Sequence, residues 1–269
     1  MCILTFIPAG INIDSECEES LDNGGQHNPD GHGWAIAIPN GGILMGKSLD
    51  IDEALTQFIS VRDLHPNGPA LFHSRWATHG SIRLGNCHPF NVGHSPLTVM
   101  AHNGILPNSS HPAAGDDRSD TALFADEILP RQYKRLDKPG AFRALTNYCG
   151  RGNKLVILTV DPRYRHNSYI VNESSGQWDT GTGMWHSNSD YLYAPYLGSV
   201  VSAAAVNDAE CDWKRELVIN GSDDPTECDL CLQRVNYLGI CTGCGTCQDC
   251  YEYERDCMCY FGSEVKLRM

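Results

Sequence analysis

Basic residues are in deficit: 20 Lys and Arg stand against 33 Asp and Glu, for a formal net charge of −13 at pH 7 and a pI near 5.2. No Lys/Arg run or aromatic-basic stripe compensates locally, so direct nucleic-acid binding is disfavoured. Long hydrophobic runs are also missing. The most apolar late stretch, "GSVVSAAAV", falls far short of a membrane span, and the N-terminus "MCILTFIPAGINI" has neither a basic n-region nor a small-residue cleavage site. These absences predict a soluble cytoplasmic protein without membrane contacts. There is no internal repeat at 20–50-residue spacing and no long low-complexity tract.

The 13 cysteines are not spread as a disulfide framework would spread them, because eight fall in the last 42 residues. Cys17, Cys87, Cys149 and Cys211 are isolated and read as small buried or surface residues. Short β-rich runs at 2–7, 34–38, 69–73, 97–102, 154–160 and 168–171 are bounded by Gly, Pro or Asn, and at least two more strands are expected in 176–206. Helices are expected over 51–59, from Ser119 onward, and over 139–149 before Gly150. Strands in runs rather than in βαβ alternation predict an α+β layering. The composition changes near 207, which divides the chain into a domain over 2–206, an acidic linker over 207–227 and a Cys-rich module over 228–269.

Cys2 stands out because loss of Met1 would put a thiol and a free α-amine, a nucleophile and a base, on one residue. Behind it come "NPDGHGWAIA" (28–37), "FHSRWATHG" (72–80), "NCHPF" (86–90), "AHNGIL" (101–106) and "SDTALFADEIL" (119–129). Taken singly, Asp120 could serve helix-end electrostatics, and His88 and Asn103 could be satisfied turn residues. In this order the motifs resemble the class II glutamine amidotransferase domain, an N-terminal-nucleophile hydrolase, over roughly residues 2–205.

The resemblance implies a four-layer αββα sandwich that hydrolyses the glutamine side-chain amide through a γ-glutamyl thioester, without a cofactor. It makes Cys2 the nucleophile, and Asn103 with the Gly104 N–H the oxyanion hole. Arg75 would hold the substrate α-carboxylate and Asp120 its α-ammonium, with Trp76, Thr78 and His79 lining the pocket. The chain also departs from the family pattern. Ile3 follows Cys2 where Gly is frequent, and "NPDGHGWAIA" replaces a "YRGYDSAG"-like segment. This wording is closer to stand-alone amidotransferases and γ-glutamyl hydrolases, so a γ-glutamyl conjugate stays open beside glutamine. Only about 60 residues follow 207, so released ammonia would need a synthase in another chain. A zinc-bearing interaction protein whose amidotransferase fold has lost activity is the third alternative.

In the tail, Cys228 and Cys231 are followed by Cys241, Cys244, Cys247 and Cys250, then by Cys257 and Cys259. Two CxxC knuckles nine residues apart suit a four-cysteine zinc site, and the other four thiolates suffice for a second. Zinc leads and an iron–sulfur cluster is second. Such a module would be metal-dependent for folding and structural or partner-docking in role.

Overall fold

A computed structural model describes residues 2–39, 41–77, 81–113, 115–133 and 135–195. The boundary near 207, the linker and the Cys-rich module lie outside the described residues. In chain order the elements are β1 (Ile3–Ile7), α1 (Ser15–His27), β2 (His32–Ala37), β3 (Ile43–Ser48), α2 (Ile51–Leu64), β4 (Ala70–Ser74), β5 (Phe90–Asn91) and β6 (Thr98–Asn103). A wide π turn over Phe124–Ile128 then separates α3 (Asp120–Leu123) from α4 (Leu129–Gln132). Next come α5 (Pro139–Cys149), β7 (Lys154–Thr159), β8 (Ser168–Val171), β9 (Gln177–Trp178) and β10 (Trp185–His186).

The strands form two antiparallel sheets, ordered β3-β2-β4-β1-β10-β9 and β5-β6-β7-β8. Alternation along the strands divides their side chains between three cores. Leu4, Phe6, Ala35, Ala37 and Leu71 of the larger sheet meet Val99, Ala101, Val156 and Leu158 of the smaller one, with Trp185 wholly buried among them. On the outer face of the larger sheet, Ile7, Trp34, Ile36 and Phe72 pack under Cys17 and Leu21 of α1 and Ala54, Leu55 and Phe58 of α2. Met100, Leu155, Ile157 and Val171 pack under Phe124, Leu129, Leu145 and Cys149 on the far side. The described residues therefore form four layers, helix–sheet–sheet–helix, as expected from the family resemblance.

The expected helices are present. Ser119 caps α3 by accepting the Ala122 N–H, and Gly150 closes α5 at φ 72°. Helix α1, strand β3 and the two-residue β5 were not expected. Helix α1 is polar and contains Gly24 and Gly25, which weaken intrinsic helicity. They are tolerated because a Cβ on Gly24 would sit 2.9 Å from Ile3 Cγ2, and one on Gly25 would sit 2.4 Å from Ile51 Cδ1. Close packing against β1 and α2 outweighs propensity there. Strand β3 pairs along the whole of β2, with Gly46 lying under the Trp34 ring.

Histidines are buried in unusual number, and burial holds their rings neutral. His32 and His186 are pushed down to about 4 and His73 to about 3. In the unfolded chain these rings would titrate near 6.5, so acid protonates the unfolded state first. Their contribution is intact above about pH 6.5 and is lost progressively as the pH falls from there toward about pH 4. Denaturant unfolding midpoints should therefore drop steeply across that window, whereas midpoints that stay flat would show that the rings take up protons while folded.

Candidate active site

Strands β1 and β4 pair from Ile7↔Ala70 to Ile3↔Ser74, and one further step sets Cys2 opposite Arg75. Cys2 continues the β1 face of Leu4 and Phe6, Arg75 the β4 face of Leu71, and Asn103 the β6 face of Val99 and Ala101. All three therefore belong to the inner, inter-sheet faces. The Trp76 N–H donates to Cys2 Sγ at 3.4 Å, and Sγ lies 3.5 Å from the Trp76 carbonyl. Burial raises the Cys2 thiol above its ordinary pKa, while the Trp76 N–H and the Arg75 charge pull it down. A thiol in this balance needs a base to become a thiolate near neutral pH.

The "NPDG" segment fixes the end of β4. Asp30 N–H donates to the Arg75 carbonyl at 2.9 Å, Arg75 N–H to the Gly31 carbonyl at 2.8 Å, and Ala77 N–H to the Asp30 carboxylate at 2.7 Å. Arg75 is 4% exposed, and its guanidinium donates to the Ser81 carbonyl at 3.1 Å. That carbonyl also accepts from the buried Asn86 amide, whose oxygen receives the Ser119 N–H at 3.2 Å. Asn86 thus ties the Arg75 side to the start of α3. Trp76 is half exposed.

Asn103 is 2% exposed and donates to Ser187 Oγ at 2.8 Å, while its Oδ1 has no partner among the described residues. Gly104 follows at φ 136°, where a Cβ would lie 2.3 Å from Asn153 Oδ1. That oxygen hydrogen-bonds His102 Nε2 at 2.7 Å, and His102 Nδ1 meets Thr121 Oγ1 at 2.9 Å. Asp120 accepts the Leu106 N–H at 3.0 Å and the Thr121 N–H at 2.7 Å. Its carboxylate therefore anchors the loop that carries Gly104, in addition to any substrate role.

The structure brings Cys2, Arg75 and Trp76 together at the ends of β1 and β4, and links Asn103, Gly104 and Asp120 through the loop after β6. Thr78 and His79 lie outside the described residues, as do all eight proposed tail ligands. Among the described residues no group of three or more His, Cys, Asp or Glu is placed to hold a metal. Cys17, Cys87 and Cys149 are buried free thiols, as expected. No described helix is long and apolar enough to cross a membrane.

The sequence reading missed Ser187, Asn188 and Asp190. Asn188 Nδ2 donates to the Cys2 carbonyl at 3.0 Å and to Asp190 Oδ2 at 3.2 Å. The available signal was "HSNSD", a polar cluster directly after a short strand.

No family model matches the chain. Among curated proteins, it is 32% identical over 104 residues to a glutamine–fructose-6-phosphate aminotransferase (isomerizing) of Leifsonia xyli, a match covering 39% of this chain and 15% of that protein. It is also 32% identical over 91 residues to a putative glutamine–fructose-6-phosphate aminotransferase of Saccharomyces cerevisiae, covering 31% of this chain and 35% of the relative. The match thus spans about a third or less of the length of either relative. Among solved structures, the glutamine phosphoribosylpyrophosphate amidotransferase of B. subtilis, complexed with ADP and GMP, aligns at TM-score 0.45 and 15% identity over 69% of this chain and 41% of that one. The curated relatives bear out the resemblance to the amidotransferase domain.

Proposed function

We propose that this relative of the glutamine-dependent aminotransferases is a class II glutamine amidotransferase with the N-terminal-nucleophile fold, using Cys2 as nucleophile. The observation that carries the reading is the inter-sheet grouping. The Cys2 thiol sits on the Trp76 N–H beside Arg75, and the Asn103 amide is tied through Ser187 to β1.

With Met1 removed, the Cys2 α-amine takes the thiol proton as Sγ attacks the side-chain carbonyl carbon of glutamine. Asn103 Nδ2 and the Gly104 N–H hold the resulting oxyanion. The carbon–nitrogen bond then breaks, the α-ammonium returns the proton to the departing nitrogen, and ammonia leaves a γ-glutamyl thioester. Water, deprotonated by the same amine, cleaves the thioester to glutamate and restores the thiol. Arg75 holds the substrate α-carboxylate and Asp120 the α-ammonium. Thr78 and His79 line the pocket with Trp76. Ammonia passes to a synthase in another chain, and the protein works in the cytoplasm. The direct test is release of glutamate and ammonia from glutamine by the Met1-trimmed protein. Intact glutamine, even with a candidate acceptor enzyme present, would remove the proposal.

The half-exposed Trp76 and Ile105, on the loops after β4 and β6, favour a second reading in which a γ-glutamyl conjugate with an apolar leaving group is the substrate. The same clamp would serve it, and kcat/KM for γ-glutamyl anilide against glutamine separates the two.

Arg75→Lys keeps a charge at the clamp but loses the planar fork. Losing a charge-assisted hydrogen bond is worth about 1.5–3 kcal/mol, so kcat/KM for glutamine should fall roughly tenfold to over a hundredfold. Alkylation of Cys2 by iodoacetamide should persist. Unchanged kinetics would make Arg75 a structural partner of the Ser81 carbonyl.

For the tail, Cys228, Cys231, Cys241, Cys244, Cys247, Cys250, Cys257 and Cys259 would form two four-thiolate zinc sites. Elemental analysis of the full chain should find two zinc per protein, and chelation should leave glutamine hydrolysis in place. Iron with sulfide-dependent visible absorbance would replace zinc by the cluster reading.

A further inference from the structure

We propose that the segment Ser187–Asp190 is a two-armed positioning element, in which Asn188 holds the nucleophile and Ser187 holds the oxyanion donor. The inference rests on the amidotransferase reading and adds residues to it.

The first arm begins where β10 leaves β1. The register runs Phe6↔Trp185 and Thr5↔His186, so the next rung would join Leu4 to Ser187 through two backbone hydrogen bonds. One of these is present, from the Ser187 N–H to the Leu4 carbonyl at 2.9 Å. In place of the other, the Leu4 N–H donates to Ser187 Oγ at 2.9 Å. The hydroxyl has taken the place of the backbone carbonyl, and the ladder stops there, two residues from Cys2. The same hydroxyl accepts from Asn103 Nδ2 at 2.8 Å. Both residues are nearly sealed from solvent, Ser187 at 1% and Asn103 at 2% exposure. With one amide hydrogen engaged by Ser187, the direction of the other is set. Asn103 can then meet a developing oxyanion without reorganising.

The second arm acts on Cys2 itself. The β1–β4 ladder begins at Ile3, so the Cys2 backbone lies outside it. Asn188 Nδ2 donates to the Cys2 carbonyl at 3.0 Å. Pinning that carbonyl blocks rotation about the Cα–C bond, which fixes where the α-nitrogen sits while the Trp76 N–H fixes the sulfur. Asn188 is itself held in place: its Oδ1 accepts the Asp190 N–H at 3.2 Å, and Asp190 Oδ2 accepts from both Asn188 at 3.2 Å and Asn28 at 3.1 Å. A nucleophile and base on one residue at a chain end need such an external anchor.

Neither residue is placed to touch substrate, so their signature should lie in kcat rather than KM. The experiment compares Met1-trimmed wild type with Ser187→Ala, Ser187→Thr and Asn188→Ala. It measures kcat and KM for glutamine, and the pH dependence of Cys2 alkylation by iodoacetamide, read by mass spectrometry of the N-terminal peptide. Ser187→Ala should lower kcat on the order of tenfold to a hundredfold with KM and the alkylation profile unchanged, and Ser187→Thr, which keeps the hydroxyl, should recover much of the loss. Asn188→Ala should lower kcat by a similar factor and also displace the alkylation profile, because the amine is no longer held beside the thiol. If that variant does not fold, Asn188→Ser takes its place. Values of kcat within twofold of wild type in Ser187→Ala and Asn188→Ala, or an Asn188→Ala alkylation profile superimposed on wild type, would overturn the proposal. Wild-type protein that leaves glutamine intact would instead overturn the amidotransferase reading and the Ser187 arm with it, while the alkylation profiles still decide the Asn188 arm.

Discussion

Cys2→Ala should yield a protein that binds glutamine and does not hydrolyse it. The substitution removes the sulfur and leaves the rest in place, since Arg75 is held by the Gly31 and Ser81 carbonyls and the Cys2 backbone by Asn188. Deleting the nucleophile of a covalent hydrolase costs roughly 10⁶-fold in kcat, so turnover should fall below detection. Calorimetry should still register glutamine with an affinity close to wild type. Retention of Met1 should be as damaging, because the base becomes an amide nitrogen with no useful basicity. A fully active Cys2→Ala protein, or full activity with Met1 retained, would move the chemistry to another residue.

The second large effect is expected from Asn103→Asp. The two side chains have nearly the same shape, so the buried site is not emptied, but the amide donor becomes a carboxylate oxygen. Where the account needs an N–H to meet a developing negative charge, the variant presents repulsion. Loss of a single oxyanion donor costs about 10²–10³-fold in kcat, which sets the lower bound here. KM should change far less, because the ground-state carbonyl makes weaker demands on that donor than the transition state does. A loss confined to KM would mean that Asn103 binds substrate without stabilising the oxyanion.

The parts of this site that were legible in the sequence were those carried by local motifs. Cys2 is marked by its position, and Arg75, Trp76, Asn103, Gly104 and Asp120 are named by the resemblance that the ordered motifs carry, since singly these residues have structural alternatives. The sequence marked the strand runs but assigned no faces, which emerge only from the pairing register. Ser187 and Asn188 were not legible, because their partners lie far away in the chain. Leu4 is 183 residues from Ser187, and Cys2 is 186 residues from Asn188. Local sequence gives "HSNSD" only turn character. Helix α1 was hidden for a different reason. Its glycine pair argues against a helix until the approach of Ile3 and Ile51 supplies the reason for having no Cβ. The resemblance names Asp120 for the substrate ammonium, and no local signal pointed to it as the acceptor that anchors Leu106.

The most direct test of the account is capture of the covalent intermediate. Met1-trimmed protein mixed with glutamine and quenched in acid within a single turnover should gain the mass of one glutamine less the ammonia released. Peptide mapping should place it on Cys2, and hydroxylamine should remove it, as expected of a thioester. Glutamate release without any adduct on Cys2, or an adduct carried by another residue, would contradict the account.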